Sequence, residues 1–384
     1  MMASGRTWVS IACFFLFAAG WLVGLAEGIK WLSLQHSHLN WNISSMNNNH
    51  GRGIRSGVRS PCTQARRRYG LVKIQAKLCR TSMETMPHIQ NAATLASDTC
   101  RKVFSERRWN CSSIITAPFL TPDLTRATRE QAYVYAISSA ALTYTLARAC
   151  SSGNLHHCTC AGRPTSPNVD SFQWGGCGDN VRWASQFAKR FIDNVEKHSL
   201  GKKEKTKRAK EDNSILRDDA AVVNLHNNRV GRKVIMTSLR TQCKCHGVSG
   251  SCNIKTCWKA LPSMTEVGQQ LLQKYTTAKE VSKTLVDRLQ VQVGKKVATS
   301  EQLVYMSKSP DYCTKDEKLG SFGTVGRHCN VSSNSLDSCR ILCCGRGYRT
   351  VVEEKIERCQ CKFYNCCYVK CKICRTMSQV YECL

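Results

Sequence analysis

Apolar residues recur at helical spacing along most of the first three-quarters of the chain, and the pattern lapses in a few definite places. Trp8 to Leu25 is a nearly unbroken apolar run behind Arg6, the layout of a secretory leader. Small residues at Gly24 and Ala26, or at Ala26 and Gly28, supply two cleavage registers, so residues 1–28 are assigned to a signal peptide. Residues 29–60 read as a loosely ordered polar leader, with Asn47, Asn48 and Asn49 in its middle and few positions to anchor a core. From Tyr69 the spacing turns helical through Leu71, Ile74 and Leu78, then through Ile89, Leu95 and Val103, with a break near Pro87. Thr121-Pro122-Asp123 carries a capping hydroxyl, a proline and an early acid, and predicts a long buried helix over Leu124–Ala149. Phe187, Phe191 and Val195 recur every four residues and predict an amphipathic helix.

Lys197–Asp212 is a low-complexity insertion of seven basic and three acidic residues, read as disordered. Helical character returns over Ile215–Leu239, and Ser263 with Glu266 forms a capping box ahead of Val267, Leu271 and Tyr275. Periodicity then fades. Residues 61–285 are therefore assigned to a mainly helical N-terminal domain, 286–303 to a linker, and 304–384 to a small cysteine-rich domain.

Cysteine usage sharpens this division. Of 25 cysteines, Cys13 falls in the signal, and twelve of the remaining 24 lie between Cys313 and Cys383. An even number in an exported chain implies up to twelve disulfides; zinc is disfavoured because paired Cys-x-x-Cys knuckles are lacking. Pairing Cys243 with Cys257 and Cys245 with Cys252 gives nearly constant position sums, as in an antiparallel hairpin linked across its strands. Cys359–Cys374, Cys361–Cys371 and Cys366–Cys367 do the same, predicting a finger over 359–374 with a vicinal bridge at its tip. Phe363, Tyr364, Tyr368 and Val369 surround that tip, an apolar contact surface on a polar protein. The expected class is thus α+β and disulfide-rich: a helical domain with a stapled β-hairpin, then a cysteine-rich β-finger domain.

Lys and Arg number 56 against 27 Asp and Glu, a net charge of +29. A secreted protein this basic meets polyanions, and the compartment favours sulfated glycosaminoglycans and acidic headgroups over nucleic acid. The hairpin over 243–257 presents Ser249 near its tip, with Gly247 and Gly250 beside it. Ser249 with His246 as base would be a hydrolase, but the glycine two residues after the serine that a nucleophile elbow needs is missing. A phospholipase-like Cys-Cys-x-x-His segment is missing too.

Cys243-Lys-Cys-His-Gly-Val-Ser-Gly-Ser-Cys252 with Thr256-Cys-Trp258 resembles the signature of the Wnt family of secreted morphogens. Arg108-Trp-Asn-Cys-Ser112, Trp174-Gly-Gly-Cys177, Asn224-Leu-His-Asn-Asn228, Ser309-Pro-Asp-Tyr-Cys313, Cys343-Cys-Gly-Arg-Gly-Tyr348 and Glu357-Arg-Cys-Gln-Cys-Lys-Phe363 resemble further family segments in order, from about residue 62 to the end. The resemblance implies no enzyme and no cofactor. It implies a palmitoleoyl-type acyl chain on Ser249, attached by the acyltransferase Porcupine, with Lys244 and Val248 flanking it at the receptor. The lipid would enter the cysteine-rich domain of a Frizzled receptor, and the finger tip (Phe363, Tyr364, Cys366, Cys367, Tyr368, Val369) would make the second contact.

Asn365 stands where relatives carry tryptophan. The implied partners include a Wntless carrier, low-density-lipoprotein-receptor-related or other single-pass co-receptors, and heparan sulfate proteoglycans. The protein would be secreted and membrane-associated through its lipid. The same likeness assigns Cys62–Cys79, Cys100–Cys111, Cys150–Cys158, Cys160–Cys177, Cys313–Cys344, Cys329–Cys339 and Cys343–Cys383. Asn42, Asn110 and Asn330 head sequons for N-linked glycans.

Overall fold

The computed structural model describes residues 27–41, 60–162, 173–200, 211–281 and 301–384. These form two units: the first runs to Val103 and resumes over Cys111–Ser309, and the second combines Phe104–Asn110 with Pro310–Leu384. Helices dominate the first. They are α1 (Pro61–Arg68), α2 (Lys73–Thr81), α3 (Met86–Val103), α4 (Arg129–Ser151), α5 (Val181–Ala188), α6 (Asn194–Leu200), α7 (Glu211–Thr237) and α8 (Met264–Thr276). Pro87 is tolerated because it falls in the first turn of α3, where its missing N–H has no helical partner to lose.

Helix α4 is the centre of this unit, apolar on every side and buried along nearly its whole length. A helix without a polar face belongs inside. It begins five residues after the start expected from Leu124. Pro122–Leu124 makes only a short 3-10 turn, and Ala127 at φ +55° interrupts the chain before Thr128 caps the helix through Gln131 N–H. Asp123, expected at the first turn, is instead buried and accepts hydrogen bonds from the hydroxyls of Ser113 and Thr121.

The segment expected to be a loose polar leader departs most from expectation. Glu27–His36 is a 3-10 helix whose Ile29, Trp31, Leu32 and Leu34 are fully buried. Trp31 meets Phe191 edge-on, and Trp41 donates to the Gln90 side chain. The spacing explains the miss: Ile29 with Leu32, and Trp31 with Leu34, are three apart, the repeat of a 3-10 helix and not of an α-helix. The other parts of the leader, residues 42–59, lie outside the described residues, as does residues 1–26 of the signal.

Phe187, Phe191 and Val195 are buried as their spacing requires, although a π-turn over Lys189–Asp193 separates α5 from α6. The basic insertion is narrower than expected, because Asn194–Leu200 is helical and α7 begins at Glu211. Its residues 201–210 lie outside the described residues. Ser263 and Glu266 cap α8 reciprocally. Most of the linker is undescribed, but Val304–Tyr305 (β5) pairs in parallel with Lys279–Glu280 (β4), so the chain stays in the first unit past residue 304.

The second unit has a small core of Cys339, Leu342, Cys343 and Cys383, with Cys329 and Tyr381 against it. Arg327 holds its early segment by donating to the carbonyls of Ser105, Arg107 and Arg108. Arg108 in turn donates to the carbonyl of Ile341. The finger is longer than residues 359–374: Tyr348–Tyr364 (β7) pairs antiparallel with Tyr368–Cys383 (β8), and His328–Cys329 (β6) adds to the far edge of β8.

Six disulfides lie in the first unit: Cys62–Cys79, Cys100–Cys111, Cys150–Cys158, Cys160–Cys177, Cys243–Cys257 and Cys245–Cys252. Five lie in the second: Cys313–Cys344, Cys329–Cys339, Cys343–Cys383, Cys359–Cys374 and Cys361–Cys371. The expected vicinal pair is not drawn as a bond. Cys366 and Cys367 are exposed, with Sγ atoms 2.7 Å apart, longer than the about 2.05 Å of a bond and closer than two separate sulfurs approach. Their backbones, at φ +68° and +102°, are given over to the turn joining the strands.

Candidate functional site

Two exposed tips hold the residues that the sequence singled out. The first is the hairpin of Arg240–Cys245 (β2) and Lys255–Ala260 (β3), which pair antiparallel with Cys243 opposite Cys257. Its base is fixed from one side by Gln173–Trp174 (β1), which pairs in parallel with β3 at Thr256 and Cys257. Buried Asp179 secures the end of β3: its N–H donates to the Lys259 carbonyl, and its carboxylate accepts from the Leu261 N–H at 2.7 Å. The Trp174-Gly-Gly-Cys177 segment is thus a brace for the hairpin.

Beyond Cys245 the backbone closes on itself. His246 N–H donates to the Ile254 carbonyl and Gly247 N–H to that of Ser251. Gly250 and Ser251 N–H complete the turn on the carbonyls of Gly247 and Val248. A Cβ at Gly247 would lie 2.0 Å from the Ser251 hydroxyl and 2.6 Å from its carbonyl oxygen, so only glycine fits. Ser249 takes the left-handed conformation, φ +57° and ψ +25°, which costs a non-glycine residue roughly 1–2 kcal/mol. The outcome is a hydroxyl in water at the apex of a stapled loop.

Val248 beside it is 89% exposed and Ile254 66%, and Lys244 is exposed on β2. No hydrogen bond joins His246 to Ser249 among the described residues.

The second tip is the end of the finger. Tyr364 stands opposite Tyr368, and their rings stack at 5.3 Å; Phe363 stands opposite Val369. All four are exposed. Asn365 uses its side chain locally, accepting from the Cys366 N–H.

Asn330 is exposed, with its side-chain oxygen accepting from the Ser332 N–H; Asn110 is half-buried beside the bridged Cys111; Asn42 lies outside the described residues. Cys329, Cys343 and Cys383 bring sulfur atoms within 4.8 Å of one another, but each is already in a disulfide, so they form neighbouring bridges and not a set of thiolates for a metal. Among the described residues no helix is long and apolar enough to cross a membrane.

One motif read as a family segment is buried polar architecture. Within Asn224–Asn228, Asn227 exchanges two hydrogen bonds with the backbone of Val304, and His226 meets the Gln302 carbonyl. Asn228 reaches Asp193, which also binds Arg232 at 2.7 Å. Glu196, which no sequence signal singled out, accepts from Tyr135 and Asn224 in the same interior.

The sequence profile described as the wnt family matches residues 67–384. Protein Wnt-11b-1 of Xenopus tropicalis is 42% identical over 370 residues, covering 94% of this chain and 95% of its own. Protein Wnt-11b of Xenopus laevis is 41% identical over 391 residues, covering 100% of both. Among solved structures, human WLS in complex with WNT8A matches with a TM-score of 0.55 and 32% identity, over 79% of this chain and 95% of that chain. With a stapled serine hairpin, a long cysteine finger and likeness along almost the whole length, the chain belongs to the Wnt family.

Proposed function

We propose that this Wnt signalling ligand acts as a secreted lipoprotein whose acyl chain is esterified to Ser249 and enters a groove on the cysteine-rich domain of a Frizzled receptor. The observation that carries the reading is the apex of the 243–257 hairpin. Two disulfides and a closed set of backbone bonds hold the Ser249 hydroxyl out in water, with exposed Val248 beside it. A loop stiffened this far loses little freedom when bound. An acyl chain would contribute about 0.8 kcal/mol per buried CH₂, on the order of 10 kcal/mol in total before ordering costs.

Lys244 and Val248 flank the lipid, and the finger tip from Phe363 to Val369 makes the second receptor contact. Asn365 offers the receptor a small polar group there. Porcupine attaches the acyl chain, single-pass co-receptors complete the complex, and heparan sulfate proteoglycans hold the basic protein in the matrix. A Wntless carrier is supported by the likeness to WNT8A, which is solved in complex with human WLS. Glycans at Asn42, Asn110 and Asn330 complete the mature form.

The test is intact-mass spectrometry of the secreted chain together with Ser249→Ala. The parent carries the added mass of a sixteen-carbon monounsaturated acyl group, and the variant is poorly exported or inactive on Frizzled-bearing cells. An unmodified Ser249 in a protein that still signals would overturn the mechanism.

A further inference from the structure

The stem of the finger, behind its tip, has two unlike faces. Successive residues of a strand alternate faces, and residues directly opposite across an antiparallel pair share one. One face carries Arg349, Glu353, Lys355 and Glu357 of β7 with Thr376, Ser378 and Glu382 of β8. Its charges are matched, Arg349 with Glu382 at 3.1 Å and Lys355 with Glu357 at 2.8 Å. The other face sets Val352, Glu354, Ile356 and Arg358 of β7 opposite Gln379, Met377, Arg375 and Ile373 of β8. Four aliphatic side chains stand in water there, Val352 at 56%, Ile356 at 58%, Met377 at 70% and Ile373 at 71% exposure. A two-stranded ribbon cannot cover a face of its own, and a continuous row of exposed aliphatics marks a contact surface.

The order of residues along this face points to what covers it. Two residues before Ile356 stands an acid, Glu354, and two residues after it a base, Arg358. Opposite Ile356 stands Arg375, with Ile373 and Met377 at the same two distances. A second copy laid face to face and antiparallel, on a two-fold axis through the level of Ile356 and Arg375, sets Glu354 against Arg358 and Met377 against Ile373, each twice, and Ile356 against itself. Arg358 makes no ion pair among the described residues, and Glu354 holds only Arg375 of its own chain, at 3.3 Å. The second copy supplies the carboxylate that Arg358 lacks. The two Arg375 side chains also meet at the axis, each kept beside its own Glu354.

We propose that this stem face is an isologous interface through which two copies of the chain pair antiparallel, with Ile356 at the two-fold axis. A polyanion would take Arg358 and Arg375 and leave the aliphatics wet. An unlike protein could cover the aliphatics, but it has no use for an acid and a base at equal distances on either side of Ile356. The paired faces are small, of the size of a transient association. Ile356 lies roughly 26 Å along its strand from Tyr364, so both finger tips stay free, and antiparallel pairing points them in opposite directions. The proposal goes beyond the receptor contact at the tip and does not depend on it.

The test uses the full chain freed of its lipid, as Ser249→Ala or, if that form is not exported, as parent protein with the ester hydrolysed, so that acyl chains do not drive association. Its sedimentation is followed over a range of protein concentrations. The lipid-free parent passes from monomer to dimer as its concentration rises, and Ile356→Glu stays monomeric with the parent's thermal midpoint, because the side chain it replaces is exposed. Glu354→Arg and Arg358→Glu each weaken self-association by about tenfold or more, since each sets like charges against itself. Mixed together, these two variants pair with each other, because the reversed charge of one meets the reversed charge of the other. The proposal is overturned if the lipid-free parent sediments as a monomer at every concentration. It also falls if Ile356→Glu dimerises as the parent does, or if the mixed charge variants remain monomers. No receptor is present, so failure here leaves the Frizzled reading untouched.

Discussion

Glu196 is wholly buried in the first unit, accepting hydrogen bonds from Tyr135 at 2.9 Å, from the Asn224 amide at 3.3 Å and from the Gly28 N–H. Burial outweighs these bonds and pushes its carboxyl from the ordinary 4.5 up to about 7. The folded protein therefore holds this proton more tightly than the unfolded chain does. The stability it confers is complete below pH 4.5, falls as pH rises towards 7 and is gone above it. Over that window the loss is roughly 3 kcal/mol. Urea unfolding at pH 5 and pH 8 should show it, and Glu196→Gln should flatten the difference while lowering stability at pH 5, because its amide meets the Asn224 donor. A variant that keeps the parent's pH slope would clear Glu196 of the effect. Nothing in the sequence pointed to Glu196, since burial of a lone acid depends on what folds over it, here the 3-10 helix at Gly28. The start of α4 was better marked. Thr128 accepts from the Gln131 N–H, and the Gln131 side chain accepts from the Ala127 N–H at 2.6 Å, one residue before the cap, but Thr121-Pro122-Asp123 offered a stronger local signal seven residues earlier.

At the scale of elements, periodicity found what is regular. The positions of α3, α4, α7 and α8 were legible, as was the register of the 243–257 hairpin, where Cys243 stands opposite Cys257; in the finger only the antiparallel pairing was, because a register shift between Lys370 and Lys372 leaves Cys359 opposite Lys372 and Cys374 opposite Glu357. Elements with another period escaped it, above all the 3-10 helix of Glu27–His36, whose apolar residues are spaced by three. Propensity also could not say why α7 carries a glycine in mid-helix. A Cβ at Gly231 would lie 2.0 Å from the carbonyl oxygen of Ala136 on α4 and 2.8 Å from its carbon, backbone atoms that cannot swing aside. The two helices touch there without a side chain between them. Gly231→Ala poses a test of sign: helix propensity alone would make it stabilising by about 1 kcal/mol, whereas the clash makes it destabilising by about 3 kcal/mol. A lowered thermal midpoint or reduced yield of secreted protein is expected; a raised midpoint would mean that α4 and α7 do not approach this closely.

The two units, each taken whole, are stabilised by different means. The first has a continuous apolar interior around α4, with Tyr133, Tyr135, Ile137 and Leu142 fully buried, and its six disulfides all join residues no more than 17 apart. The second buries a handful of side chains, and Cys313–Cys344 and Cys343–Cys383 close loops of 31 and 40 residues. Loops of that size each remove about 4 kcal/mol of entropy from the unfolded chain on the usual estimate, more than its small core supplies per residue. Reduction should therefore separate the units. With rising dithiothreitol, amide exchange over 310–384 should accelerate at concentrations that leave residues 129–151 protected, and the helical ellipticity should persist after the finger is lost. Simultaneous loss would show that α4 depends on its own bridges as heavily as the second unit does. The contrast explains which cross-links the sequence could disclose: hairpin pairs obey a local rule of register, but Cys313–Cys344 and Cys343–Cys383 join segments that only the folded second unit brings together, so spacing alone held no record of them.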